Sequence, residues 1–220
     1  FCGPGGDVMP RHMLRNAAEQ RMEKLRKLSR KQEVGRRIVQ AFDETWEAVC
    51  QDIRTDAVLA HRVERFSVPM RKITEKEYQE AQSQHASFAK RLEKSPKDSY
   101  AEGRKNWFKR TIDLYEKQHK AEFFNRLEVH VLRLGDVAIA TSPFELFQDY
   151  AMRIHARSAA PQTALIQLAS PADKSHSYLP SERAVAGGGY SAVPQSTPVG
   201  PEGGQMLVEK TLETISAMFK

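Results

Sequence analysis

The sequence predicts a mixed α/β fold of layered helices and sheet, and three observations carry that prediction. In the first half, apolar residues recur at three- and four-residue steps among many charges, which is the signature of amphipathic helices. In the second half, Leu127, Val129 and Val131 alternate with polar residues, Gly135-Asp136 intervenes, and Val137, Ile139 and Thr141 alternate again, a hairpin signal. A further helix, strand and helix then follow, so helical and extended texture are interleaved.

Taken in order, Leu14 to about Ile53 reads as helix, with Ala17, Ala18, Met22, Leu25 and Leu28 and then Val34, Ile38, Ala41, Trp46 and Val49 on one stripe. Breaks are expected near Ser29 and Gly35. Residues 57–73 alternate through Val58, Val63, Phe66, Val68 and Met70 and read as a strand, placed at a sheet edge because Pro69 cannot donate to a ladder. Residues 74–123 return to helix in two pieces around Ser95-Pro96-Lys97-Asp98-Ser99. After the hairpin, a helix is expected to begin at Ser142-Pro143-Phe144-Glu145 and to run through Leu146, Phe147, Tyr150, Ala151 and Ile154. A strand follows at Thr163 to Leu168. Residues 170–204 are rich in Gly, Pro and Ser and read as a long loop, of the kind that usually carries function, before a last helix with Leu207, Leu212, Ile215 and Met218.

Composition narrows the function classes. The 220 residues suffice for one domain with a real core, and 40% hydrophobic with 28% charged residues excludes intrinsic disorder. No window approaches the run of about 18 apolar residues that spans a bilayer. Cys2 and Cys50 lack any CxxC or Cys/His spacing, so they read as unpaired thiols rather than a disulfide framework or zinc knuckle. Ten Lys and Arg between Arg11 and Arg37, against Glu19, Glu23 and Glu33, supply the excess behind the net charge of +6. Such a stretch suits nucleic acid, anionic lipid or a solvated helix face, and its lack of aromatic residues disfavours single-stranded nucleic acid. The opening Phe1-Cys2-Gly3-Pro4-Gly5-Gly6-Asp7 is loop-like and reads as a chain entered in mid-domain.

Three segments stand out for chemistry. Gly5-Gly6-Asp7-Val8-Met9-Pro10 is a glycine-led acidic turn; Pro143-Phe144-Glu145 places a carboxylate directly after a strand; and Tyr178 and Tyr190 lie twelve residues apart in the Gly-rich region. In order and spacing these resemble the neutral ceramidases. There the first segment reads Gly-Asp-Val-Ser-Pro, the second carries a zinc-binding glutamate, and two functional tyrosines have the same separation. The match runs along essentially the whole chain in order and is weak between residues 11 and 120.

The resemblance implies that residues 1–220 are the C-terminal portion of one ceramidase-like hydrolase domain, a partial catalytic domain whose upstream part is absent from this chain. It implies a layered mixed fold that cleaves the amide bond of an N-acyl lipid with one zinc ion. Glu145 and Tyr178 would be metal ligands, with two histidine ligands upstream of Phe1; Tyr190 would hydrogen-bond the reacting amide, and Asp7 would be a catalytic-loop acid. It further implies a lipid-amide substrate, possible contact with a membrane surface, and a secreted, periplasmic or cell-surface location. By itself the chain is expected to be inactive. The chemistry is coherent: zinc takes oxygen and nitrogen ligands near about 2.0–2.2 Å, favours the deprotonated phenol, polarises a carbonyl and activates water. A donor such as Tyr190 is commonly worth about 3 kcal/mol to a developing oxyanion.

Each assignment has a plain competitor. Ser142-x-x-Glu145 with Pro143 at the first helical position is a sound capping box. Tyr178 and Tyr190 could be loop anchors with wet hydroxyls. None of the seven histidines forms an HxH or HxxxH pair, and His176, two residues from Tyr178, is the one of interest. Met9 departs from the family serine, and a thioether has no proton to donate. The competing functions are therefore a non-catalytic ceramidase-like relative and a basic module that binds anions or nucleic acid.

Overall fold

The computed structural model describes residues 2–9, 15–120, 124–169 and 177–220. The chain forms two compact units, Phe1–Asp7 with Val58–Lys220 and, separately, Val8–Ala57.

The larger unit is mixed α/β. Its sheet has the order β1-β2-β3-β5, built from β1 (Leu59–Pro69), β2 (Phe124–Leu134), β3 (Val137–Thr141) and β5 (Gln162–Ile166). β1 is an edge strand, as Pro69 requires, and pairs antiparallel with β2 from Leu59↔Leu134 to Pro69↔Phe124. The β2–β3 hairpin turns at Gly135, whose φ of 56° favours a residue without a Cβ. β3 then pairs parallel with β5, because the chain crosses over through α5 (Gln148–Arg157) before returning. Alternation along β2 sends Leu127, Val129 and Val131 into the core, where α5 and the last helix, α7 (Pro201–Met218), bring Tyr150, Ile154, Leu207, Val208 and Ile215.

α7 starts earlier than the loop-like composition of residues 200–204 suggests, and the reason is close packing. A Cβ on Gly204 would lie 2.3 Å from the Tyr150 ring and hydroxyl, and one on Gly203 would lie 2.4 Å from Val199. These glycines let the first turn of the helix meet α5 and β1 at short range. Pro201, which has no backbone N–H, fits the first helical position, where a donor would have no intrahelical partner.

Beside the sheet, α3 (Glu75–Lys94) and α4 (Ser99–Lys117) form a helical hairpin. Thr74 and Glu77 make a capping box at the start of α3, and Asp98 caps α4 through the Ala101 amide at 2.9 Å. Gln118 closes the hairpin by accepting from the Ile73 amide at 2.8 Å and donating to the Ile73 carbonyl at 3.2 Å. Tyr78 stacks on Tyr115 at 4.1 Å between the helices.

The smaller unit contains α1 (Asn16–Arg26) and α2 (Arg30–Val49). The break falls at Lys27, which is left-handed with φ 55°, and Ser29 caps α2 in a box with Gln32. Gly35 lies inside α2, contrary to the expected break there, since one helical glycine costs only about 1 kcal/mol. The expected start at Leu14 lies outside the described residues. Cys2 and Cys50 are free and exposed. Among the described residues no helix is long and apolar enough to cross a membrane.

Candidate functional site

A second, two-stranded sheet positions the main candidates. β4 (Glu145–Leu146) pairs parallel with β6 (Tyr178–Leu179), in register Glu145↔Tyr178 and Leu146↔Leu179. Because side chains alternate between faces, Leu146 and Leu179 are both fully buried while Glu145 and Tyr178 sit side by side, half-buried, on the opposite face. The Glu145 amide donates to the Ser177 carbonyl at 3.2 Å and completes the pair.

This pairing overturns the expected helix start. Ser142 and Glu145 form no capping box: the Ser142 hydroxyl accepts from the Phe144 amide at 3.2 Å, Glu145 is in a strand, and α5 begins only at Gln148. The competing structural role for Glu145 is thereby removed. The start of α5 is capped from a distance instead, by the Asp7 carboxylate, which accepts from the Gln148 amide at 2.9 Å. Asp7 thus has a structural partner. Gln167 fixes the same turn, its side-chain oxygen accepting from the Leu146 amide at 2.9 Å and the Gly5 amide at 3.2 Å. Gly6 donates to the Leu146 carbonyl at 2.9 Å, and a Cβ there would come within 2.6 Å of the Glu145 carbonyl oxygen. The glycine-led segment is therefore wedged against the strand that carries Glu145, which explains why Gly6 has no side chain.

Tyr178 has its phenol pKa raised above the ordinary value, first by burial, then by the charge of Glu145 and hydrogen bonding to it, and last by Tyr190. The phenol keeps its proton beside the carboxylate, an arrangement a cation between the two oxygens would reverse. Tyr190 begins a short 3-10 turn, Tyr190–Ala192, and is 66% exposed. Its ring meets Tyr178 edge-on at 6.1 Å and stacks on Trp107 of α4 at 5.9 Å. Tyr178 is thus a strand residue and Tyr190 a turn residue, yet the two converge.

Glu145 and Ser177 open onto a cleft of about 560 Å³, whose far wall is α4 with Arg110, Asp113 and Lys117. Those three share one helix stripe, opposite the buried Ala101, Phe108 and Thr111. Sequence reading missed them, although their three- and four-residue spacing was visible. The Gly/Pro segment that forms the near wall is tethered by the Arg71 guanidinium to the Ala192 carbonyl at 2.6 Å, the Arg71 amide to the Pro198 carbonyl at 2.8 Å, and the Ser177 hydroxyl to the Ser196 carbonyl.

No family model matches the chain, and no curated protein matches it. A solved structure, the neutral ceramidase from Pseudomonas aeruginosa, is similar to it at 17% identity, with a TM-score of 0.39 over 47% of this chain. The matched part spans 17% of that protein's length.

Met9 is 48% exposed and belongs to the smaller unit. His176 lies outside the described residues. Among the described residues no three His, Cys, Asp or Glu side chains gather in a way that could hold a metal. Glu145 and Tyr178 bring one carboxylate and one phenol together, oxygen donors of the kind a hard or borderline cation takes; a zinc ion held there would need two further ligands.

Proposed function

We propose that this chain is part of a zinc-dependent hydrolase of the ceramidase type, which cleaves an N-acyl amide of a lipid or lipid-like substrate. The observation that carries the reading is the in-register pairing of Tyr178 with Glu145, which lines a cleft. These residues are 33 positions apart in sequence, and they are the two that the family motif order singles out. Glu145 and Tyr178 would hold the ion together with two histidines supplied by sequence outside this chain. When bound, the ion supplies Lewis-acid activation of water and of the amide carbonyl. Tyr190, beside Tyr178, would donate a hydrogen bond from its phenolic hydroxyl to the oxygen that gains charge as the amide is attacked. Asp7 acts as a positioning residue, holding the start of α5 just beyond β4. The substrate reading extends to a lipid amide presented at a membrane surface, and to a secreted, periplasmic or cell-surface setting.

Met9 favours a second reading, a non-catalytic relative, because no proton can be exchanged at the position where the family carries serine. A basic anion-binding module is the weaker alternative. Arg26, Arg30, Arg36 and Arg37 are engaged by Glu19, Glu23 and Glu33, which leaves less free positive charge than the sequence count implies.

The test joins the chain to the upstream half of the domain and measures bound zinc and N-acyl hydrolysis. Glu145→Ala and Tyr178→Phe are expected to lower zinc occupancy, and Tyr190→Phe to slow hydrolysis about a hundredfold while zinc is retained. Zinc content unchanged in both ligand variants would refute their roles.

A further inference from the structure

A second pocket, of about 360 Å³, adjoins the cleft and shares Pro194 and Gln195 with it. Its wall carries Arg104, Trp107 and Phe108 of α4, Arg71, and the acids Glu77 and Glu80. Arg104 is held flat by aromatic rings, with its guanidinium carbon 4.0 Å from the Trp107 centroid, 4.9 Å from Phe108 and 5.9 Å from Phe88. Ring faces attract the cation but occupy none of its in-plane N–H donors. Those donors have no partner among the described residues: Arg104 Nε is buried without a hydrogen bond, and no described residue forms an ion pair with the group. Glu77 is committed to Arg71 at 2.9 Å and to the α3 cap, and Glu80 makes no bond to Arg104. A rigid guanidinium with an unfilled edge in a pocket wall is costly unless something fills it, and the ligand that matches its planar fork is an oxyanion.

We infer that this pocket is a subsite for an oxyanion, a carboxylate or a phosphate, on the substrate processed at the Glu145–Tyr178 cleft. The inference rests on the hydrolase reading for its connection to amide cleavage, and on Arg104 alone for anion binding. Trp107 stacks on Tyr190, and Tyr190 meets Tyr178, so the subsite lies two ring contacts from the proposed metal ligands. An anion directly beside the amide is too close to reach it. The geometry fits an amide whose charged group stands several bonds away.

The experiment uses the metal-free 220-residue chain carrying Trp46→Phe, so that Trp107 is the sole tryptophan and reports on the pocket by fluorescence. The probes are N-hexanoyl-6-aminohexanoate, its methyl ester, the corresponding 6-(hexanoylamino)hexyl phosphate, and N-hexanoylglycine. The long acid is expected to bind at least about tenfold more tightly than its ester and than the glycine compound. Arg104→Gln should erase the preference for acid over ester, Arg104→Lys should keep part of it, and Glu80→Gln should strengthen it. A phosphate stronger than the carboxylate would assign a phosphorylated substrate, and the reverse a carboxylate-bearing one. Equal binding of acid and ester, or a preference that survives in an Arg104→Gln protein with unchanged circular dichroism, would overturn the inference. Since no zinc is present, that outcome leaves the metal reading standing, whereas unchanged zinc content in the extended Glu145 and Tyr178 variants would sink the hydrolase reading and leave the anion pocket intact.

Discussion

The two units of the chain are stabilised by opposite means. Around the sheet, the large buried side chains are apolar, Phe144, Leu146, Ile154, Leu179, Leu207 and Ile215 among them, each at most 1% exposed. In the helical pair α1–α2, the fully buried side chain is a carboxylate, Glu33, held by Arg26 at 2.8 Å, Arg36 at 2.9 Å and Arg37 at 3.0 Å. The apolar residues of α2 are turned outward, with Ile38 67%, Phe42 55%, Trp46 52% and Val49 59% exposed. Both segments show helical periodicity, yet only one uses its apolar stripe as a core. Periodicity identifies a face; it does not say whether anything covers that face.

Each unit contains one tryptophan, Trp107 in the larger and Trp46 in the smaller, so single-tryptophan variants can follow the two separately. The strongest break should come in the apolar core: Phe144→Ala is expected to lower the stability of the sheet unit by about 3–5 kcal/mol, read as a shifted denaturant midpoint for Trp107. If Trp46 shifted equally, the two units would unfold as one and the contrast would fail. Gly204→Ala should follow at about 1–3 kcal/mol, because its methyl group would collide with Tyr150.

The helical pair should break with acid instead. Arg36 hydrogen bonding, helped by Arg37 and Arg26, outweighs desolvation and lowers the Glu33 carboxyl from 4.5 to about 2. A depressed carboxyl stabilises the fold above its unfolded value, and that contribution is lost as pH falls through the folded one. Helicity reported through Trp46 should therefore decay between about pH 4.5 and pH 2. Glu33→Gln should weaken the pair at neutral pH and abolish that acid transition; an unaltered transition would show that other carboxylates control it.

Two smaller effects sharpen the contrast. Asp7→Ala removes a cap from α5 and should cost the sheet unit about 1 kcal/mol. Phe42→Ser, on the uncovered stripe, should change stability by less than about 0.5 kcal/mol. A larger loss in thermal melts of the isolated chain would mean that the stripe is covered after all.

The parts of the fold legible in sequence are those specified by neighbouring residues. The β2–β3 hairpin follows from alternation on either side of Gly135-Asp136, and the α3–α4 hairpin from two periodic segments around Ser95–Ser99, with Thr74 and Asp98 as caps. The site shows the limit of that kind of reading. Ser142-Pro143-Phe144-Glu145 carries every local mark of a helix start, and the chain nonetheless places Glu145 in a strand. Its partner, Tyr178, lies far along the chain, and burying Leu146 against Leu179 outweighs the capping preference. Gly203 and Gly204 read as loop for the same reason: the close approach that requires them is to Val199, Val68 and Tyr150, which only the assembled core brings near.

Sequence by itself determined which residue types were available for chemistry, Glu145, Tyr178 and Tyr190 in a recognisable order, and that helices and strands would be interleaved. Tertiary structure alone decided that the carboxylate and the first phenol stand side by side, that Asp7 serves α5, and that Arg104 meets three rings with its edge unfilled. The physical reason is the range of the forces involved. Propensity, capping and turn chemistry act over a few residues, whereas strand register, burial and cation–ring contact depend on distances in space that a linear pattern does not encode.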